Sequence, residues 1–100
     1  VVIGLGNFGA DVAEALHAAL HDALAVDTHE TVVDAIAPRV TRAVVADGRA
    51  AATLERLGAR GADAGIVSTG DDVTASILAM LALHDVGVRQ VYVKVLSTAH

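Results

Sequence analysis

Six residues near the start of the chain, Gly4-Leu5-Gly6-Asn7-Phe8-Gly9, have the spacing G-x-G-x-x-G. They directly follow an apolar β-branched run, Val1-Val2-Ile3, and directly open a helical pattern. In that setting each glycine has its own task. Gly4 permits a tight turn, Gly6 lets the backbone approach a phosphate with no Cβ in the way, and Gly9 lets the helix pack close to the strand. The first helical turn then offers free N–H groups and the positive end of its dipole to an anion. Alone the pattern is weak, because three glycines in a turn also serve structure only. Asp27 strengthens it. It stands eighteen residues after Gly9, at the end of the second apolar run, where a carboxylate accepts hydrogen bonds from ribose hydroxyls. A carboxylate there also repels a 2′-phosphate, so the pair favours NAD(H), ATP or ADP over NADP. The structural alternative for Asp27 is to cap the helix that follows.

Two more loops follow apolar runs and fall on the edge where open parallel sheets bind ligands. Asp47-Gly48 follows the third run, and Asp47 has the chemistry to accept from an adenine amino group. Ser68-Thr69-Gly70-Asp71-Asp72 follows the fourth, placing Ser68 and Thr69 near a ribose or pyrophosphate. A turn aspartate is the plain reading of Asp47, and helix capping that of Asp71 and Asp72. Lys94 is the only lysine and is expected inside the fifth strand, where a bound phosphate or the strand end would account for its charge.

Catalytic patterns are not evident. His17, His21, His29, His84 and His100 form no catalytic pair, and His17 and His21 at i, i+4 have no third metal ligand. Ser68 lacks a G-x-S-x-G elbow, and no Walker A lysine follows the glycine loop. The sequence therefore predicts no catalytic and no metal-binding residue.

These loops need elements to carry them. Short apolar runs at 1–3, 24–26, 43–46, 65–68 and 91–95 read as strands. Helical patterns occupy 8–20, 29–37, 49–57 and 73–86. Phe8, Val12, Leu16 and Leu20 form an i, i+4 stripe on the first helix, and Val32, Val33 and Ile36 are the buried set of the second, which Pro38 stops. Gly58 and Gly87 suit left-handed positions after the third and fourth helices. Strict alternation of strand and helix predicts an α/β fold: a doubly wound parallel sheet with helices on both faces.

Composition limits the rest. One hundred residues allow one domain. Aromatic content of 2% leaves no stacking platform for single-stranded nucleic acid. A net charge of −5 opposes a phosphate-backbone binder, so no nucleic-acid partner is expected. There is no Cys, and no apolar run approaches the ~20 residues of a membrane span, so no direct membrane insertion is expected. The chain opens on Val1 inside an apolar run and closes at Ser97-Thr98-Ala99-His100. That reads as a single domain, 1–100, cut from a longer polypeptide. The helix over 73–86 is apolar around most of its circumference, which suggests burial on two sides and hence self-association.

The order of these segments resembles the KTN domain, the nucleotide-binding half of the RCK regulators of potassium transport. The resemblance rests on Val1-Ile3 with Gly4–Gly9, Leu24-Ala25-Val26-Asp27, and Ala43-Val44-Val45-Ala46-Asp47-Gly48. It continues through Leu54-Glu55-Arg56-Leu57-Gly58, Val67-Ser68-Thr69-Gly70-Asp71-Asp72 and Val91-Tyr92-Val93-Lys94-Val95. It is nearest to the Trk/Ktr-type cytosolic subunits that sit on a bacterial potassium-uptake membrane protein. The resemblance implies a Rossmann-like domain that binds NAD(H), ATP or ADP without consuming it. It also implies a cytoplasmic location at the inner face of the membrane, dimers or octameric rings, and gating of a membrane-embedded potassium transporter subunit. The implied ligand contacts are Gly4, Gly6, Asn7, Phe8, Gly9, Asp27, Thr28, Asp47, Gly48, Ser68, Thr69 and Lys94. Ktr-type relatives often carry an Arg, able to meet the terminal phosphates of ATP, where this chain has Asn7; strong preference for ATP over ADP is not implied. The competing readings are the coenzyme half of an NAD-dependent dehydrogenase and a regulatory domain of a potassium channel or potassium/proton antiporter.

Overall fold

The computed structural model describes residues 1–94. Five strands, β1 (Val2–Ile3), β2 (Leu24–Asp27), β3 (Arg42–Val45), β4 (Ala64–Val67) and β5 (Gln90–Val93), form one sheet. Its order is β3-β2-β1-β4-β5, and every pairing is parallel. Helices α1 (Asn7–Ala18), α2 (Glu30–Ile36), α3 (Ala51–Arg56) and α4 (Val73–Asp85) connect the strands, with a 3-10 turn over Ala37–Arg39 around Pro38.

Alternation along the strands produces two cores. Val2, Ala25, Ala43 and Ile66 point to one face and pack with Ala13 of α1 and Val33 and Ile36 of α2. Ile3, Val26, Val67, Val91 and Val93 point to the other and pack with Leu54 of α3 and Ala79, Ala82 and Leu83 of α4. Helices therefore cover both faces, as the sequence pattern predicts. The order in which strands are added to the sheet reverses between β1 and β4, and the carboxyl ends of those two strands frame a crevice.

The helices differ from their sequence patterns in what they bury. On α1 the stripe Phe8–Val12–Leu16–Leu20 is buried only in part: Val12 and Leu16 are half-buried against the core, but Phe8 is exposed, and Leu20 is 94% exposed beyond the helix end. The buried line is Gly9 and Ala13. The helix lies so close to β1 that only small residues fit between them. Leu20 instead takes the left-handed turn after the helix, at φ 66°, a place usually given to glycine. On α4 the alanines Ala75, Ala79 and Ala82, with Leu83, face the sheet, while Val73, Ile77, Leu78, Met80 and Leu81 stand exposed. Gly58 and Gly87 both have positive φ and close the turns after α3 and α4.

Lys94 is corrected. β5 ends at Val93, so Lys94 is not inside a buried strand; it is exposed, one residue past the strand end, with its N–H bonded to Val67 O at 2.9 Å. Its charge needs no buried partner. Val95, expected in the same strand, lies outside the described residues.

Candidate functional site

The glycine loop is built from β1 into α1, and its three glycines face different surroundings. Gly4 has φ +91°, and a Cβ on it would overlap Ser68 O of the β4 loop. A Cβ on Gly9 would overlap Gly4 O. A Cβ on Gly6 would meet nothing within 4 Å. Gly4 and Gly9 are thus closed by packing, and Gly6 opens onto the crevice. The first intrahelical bond runs from Ala10 N–H to Gly6 O at 2.9 Å. The N–H groups of Asn7, Phe8 and Gly9 precede it, so they have no acceptor within the helix.

Asp27 ties this loop to the end of β2. One carboxylate oxygen accepts Leu5 N–H at 2.8 Å; the other accepts His29 N–H and faces His29 Nδ1, both at 2.8 Å. Burial pushes the Asp27 carboxyl up, but the Leu5 and His29 N–H groups and the His29 ring outweigh it and hold the pKa below the usual carboxylate range. Asp27 does not cap α2: His29 is the N-cap, with no side-chain cap bond, and Asp27 accepts the N–H of His29 itself from two residues earlier. The His29 side chain is 75% exposed against 13% for Asp27, so the ring is the partner that a ligand hydroxyl can replace.

The end of β3 repeats the arrangement. Asp47 accepts Arg49 N–H at 2.9 Å and holds the Arg49 guanidinium through Nε and Nη2, each at 2.9 Å. The guanidinium hydrogen bond, with the Arg49 N–H, keeps the Asp47 carboxyl below its ordinary pKa and raises that of Arg49. The Asp47 carboxylate is therefore not the unengaged acceptor that the sequence suggested. Asp72 caps α4 by accepting Ala75 N–H at 2.9 Å, as its capping reading requires. Thr69 Oγ1 is engaged with Ser76 Oγ and Asp72 O, and Ser68 is buried with its N–H on Ile3 O.

A cavity of about 460 Å³ lies over the carboxyl edge of the sheet, a size that suits a small molecule. It brings together Gly4, Gly6, Asp27, Thr28, Asp47, Gly48, Ser68 and Thr69 of the expected set. Asn7 lies instead on a groove between α1 and α2, near Asp11, Glu14 and Arg39. Phe8 and Lys94 meet each other outside the cavity, with Nζ 5.3 Å from the ring centroid. Gly9 acts through packing. Sequence reasoning missed His29 and Arg49 as lining residues. The signal was present: Asp27-Thr28-His29 and Asp47-Gly48-Arg49 both place a nitrogen-bearing side chain two residues after an Asp at the end of a strand. A short acidic side chain at such a place accepts the N–H two residues on, bringing residue i+2 back over its carboxylate.

A parallel sheet of order 3-2-1-4-5, with a glycine turn at its switch point, defines a Rossmann-like α/β domain. Within that class the chain belongs to the TrkA-N domain family, which matches residues 1–100. It is 37% identical over 99 residues to Ktr system potassium uptake protein A of Bacillus subtilis and 36% identical to protein C of the same organism. Each alignment covers 99% of this chain and 45% of the relative. It is 40% identical over 93 residues to Ktr system potassium uptake protein A of Vibrio alginolyticus, covering 93% and 42%. The chain thus spans less than half the length of these relatives. The NAD(P)-binding domain of an exopolyphosphatase-related protein from Archaeoglobus fulgidus superposes with a TM-score of 0.80 at 27% identity. That match covers 97% of this chain and 73% of the other.

Proposed function

We propose that this domain binds an adenine nucleotide, NAD(H) or ATP/ADP, as a regulatory ligand, and that binding biases a potassium-uptake transporter in the membrane. The observation that carries the ligand reading is Gly6: alone of the three loop glycines it opens onto space, beside N–H groups with no helical acceptor. That is the cradle a phosphate requires. Gly6 with the N–H groups of Asn7, Phe8 and Gly9 would hold the phosphates, Asp27 and Thr28 the ribose, and Ser68 and Thr69 the opposite wall. Asp27, held ionised, disfavours a 2′-phosphate. The potassium role is supported by the Ktr uptake proteins, which are similar over nearly all of this chain.

The partner would be a membrane-embedded transporter subunit, with this domain cytoplasmic and attached through it. No helix among the described residues is long and apolar enough to cross a membrane. The exposed apolar side of α4, with Val73, Ile77, Met80 and Leu81, supports self-association into dimers or rings. Ligand binding shifts such an assembly only by its difference in affinity between two arrangements, and about 1–3 kcal/mol suffices.

Mass spectrometry of nucleotide released from the purified protein tests the ligand reading; an adenine nucleotide is the expected finding. Incubation with NAD(H) or ATP, followed by chromatography, is expected to return the nucleotide unchanged. The cavity carboxylates of Asp27 and Asp47 are held ionised by their own donors, which makes them weak proton carriers at neutral pH. Sustained product formation would return the domain to an enzyme class.

Asp27→Ala is expected to weaken nucleotide binding by about 1–3 kcal/mol, the cost of removing a charged acceptor. It also leaves Leu5 and His29 N–H without their acceptor. Because the folded pKa is lowered, the stability from Asp27 is present above the ordinary Asp pKa of about 4 and is lost as pH falls through the lower folded value. The variant should lose stability at neutral pH and show a shallower acid transition. Unchanged calorimetric affinity in the folded variant would leave Asp27 a loop tie only.

A further inference from the structure

We infer that Arg49 sets base selectivity: by gripping Asp47 through both carboxylate oxygens, it fixes the one remaining acceptor position as a reader of an adenine amino group. The inference rests on the nucleotide reading above and adds the residue that decides which base is taken.

Sheet order gives the fork its place. The phosphate cradle follows β1, Asp27 follows β2, and Asp47 with Arg49 follows β3, on three adjacent parallel strands. Ala46 N–H on Asp27 O, at 3.0 Å, joins the last two strand ends directly. Phosphate, ribose and base follow one another in a nucleotide in that same order, so the β3 loop is left for the base.

The donor count gives it a chemistry. An ionised carboxylate has about four acceptor positions and no donor. Asp47 Oδ1 takes Arg49 N–H and Nε, and Oδ2 takes Nη2. Among the described residues this leaves one position, on Oδ2. A fixed acceptor pairs with the 6-amino group of adenine and repels the 6-carbonyl of hypoxanthine or guanine. A carboxylate free to turn would behave differently, because those bases carry N1–H one atom away and a mobile Asp47 could follow it. Arg49 removes that freedom. Selectivity here is a difference between two affinities, and the constraint acts against the wrong base.

Stability does not explain the fork. The Asp47 and Arg49 side chains are 43% and 49% exposed, and ion pairs so exposed contribute little. Nor does charge alone require an arginine in that geometry. The cavity has carboxylates at Asp27, Asp47 and Asp72 and, among its described lining residues, one permanent cation, Arg49. A lysine would balance charge equally but cannot grip both oxygens in a planar fork.

Calorimetric titration of the purified protein with ADP and with IDP, which carries hypoxanthine, separates these roles. The parent should prefer ADP by at least about tenfold, the effect of one well-made hydrogen bond on affinity. Arg49→Lys keeps the charge and should reduce the preference to less than about threefold, mostly through tighter IDP binding. Asp47→Asn, whose amide can present a donor to a carbonyl, should level the two ligands as well. A parent that binds ADP and IDP alike overturns the inference, and so does an Arg49→Lys protein that keeps the parent's preference. If in either case Gly6→Val abolishes binding of both ligands, the nucleotide reading survives without it. Absence of binding by either ligand in the parent overturns both.

Discussion

Gly6→Val is expected to reduce adenine-nucleotide affinity by about 100-fold or more while the domain stays folded. The side chain would project into the open space above the loop, where no protein atom lies within 4 Å. Its backbone, at φ −64° and ψ −173°, is extended and acceptable to a β-branched residue. The folding cost is therefore limited to exchanging a good N-cap for a poor one, about 1 kcal/mol. The binding cost is larger. A branched Cβ holds a phosphate away from the N–H groups of Asn7, Phe8 and Gly9, and each charge-assisted hydrogen bond is worth about 1.5–3 kcal/mol. Losing even two of them amounts to about two decades in affinity. Calorimetry checks the affinity and circular dichroism the fold. A folded variant that binds as tightly as the parent would remove the phosphate from this loop, and with it the proposed function.

How far the site was legible depends on the kind of interaction that places each residue. The placement of Gly4, Gly6, Gly9 and Asp27 around one loop was legible because it follows from spacing along one β-α-β unit, which sequence shows directly. The strand order was expected only as a parallel sheet with helices on both faces. Asp47 was legible as a residue at the right edge but not as a carboxylate already gripped by Arg49, because the grip depends on loop curvature rather than on periodicity. Lys94 was read as a strand residue because a run of valines does not mark the last one; it stands one residue past the end of β5, with its N–H still bonded to Val67 O. The first helix was misread for a related reason. Periodicity finds the largest apolar stripe, Phe8 to Leu20, whereas the face against β1 is selected for smallness. A similar inversion occurs on α4, where three alanines and Leu83 face the sheet and most of the larger residues stand outside. In a domain with 54% apolar residues, amphipathicity carries little information about which face is inward. Distance of approach decides it instead.

Gly9→Ala is expected to destabilise the domain by about 3 kcal/mol or more, the upper end of what overpacking costs. Helix propensity argues the other way, since Ala in place of Gly in a helix gains about 1 kcal/mol. The overlap decides the sign. The added Cβ would overlap Gly4 O and stand 3.0 Å from Gly4 C and 3.4 Å from Ser68 Cβ. The first two are backbone atoms and cannot rotate aside. Gly4 in turn cannot retreat, because its own missing Cβ leaves the space that Ser68 O fills. Relief requires moving α1 off β1, which loosens Ala13, Val12 and Leu16 against that face of the sheet. At roughly 4–8 °C per kcal/mol for a domain of this size, the melting temperature should fall by more than about 10 °C. Thermal melts followed by circular dichroism would show it, beside a Gly6→Val melt that falls far less. An unchanged or raised melting temperature for Gly9→Ala would mean that α1 does not lie as close to β1 as described. The two glycines stand three positions apart in one motif, yet one opens onto the crevice and the other is closed by the protein's own packing. A side chain at Gly6 projects into open space, where the proposed phosphate would lie, whereas a side chain at Gly9 meets the protein itself.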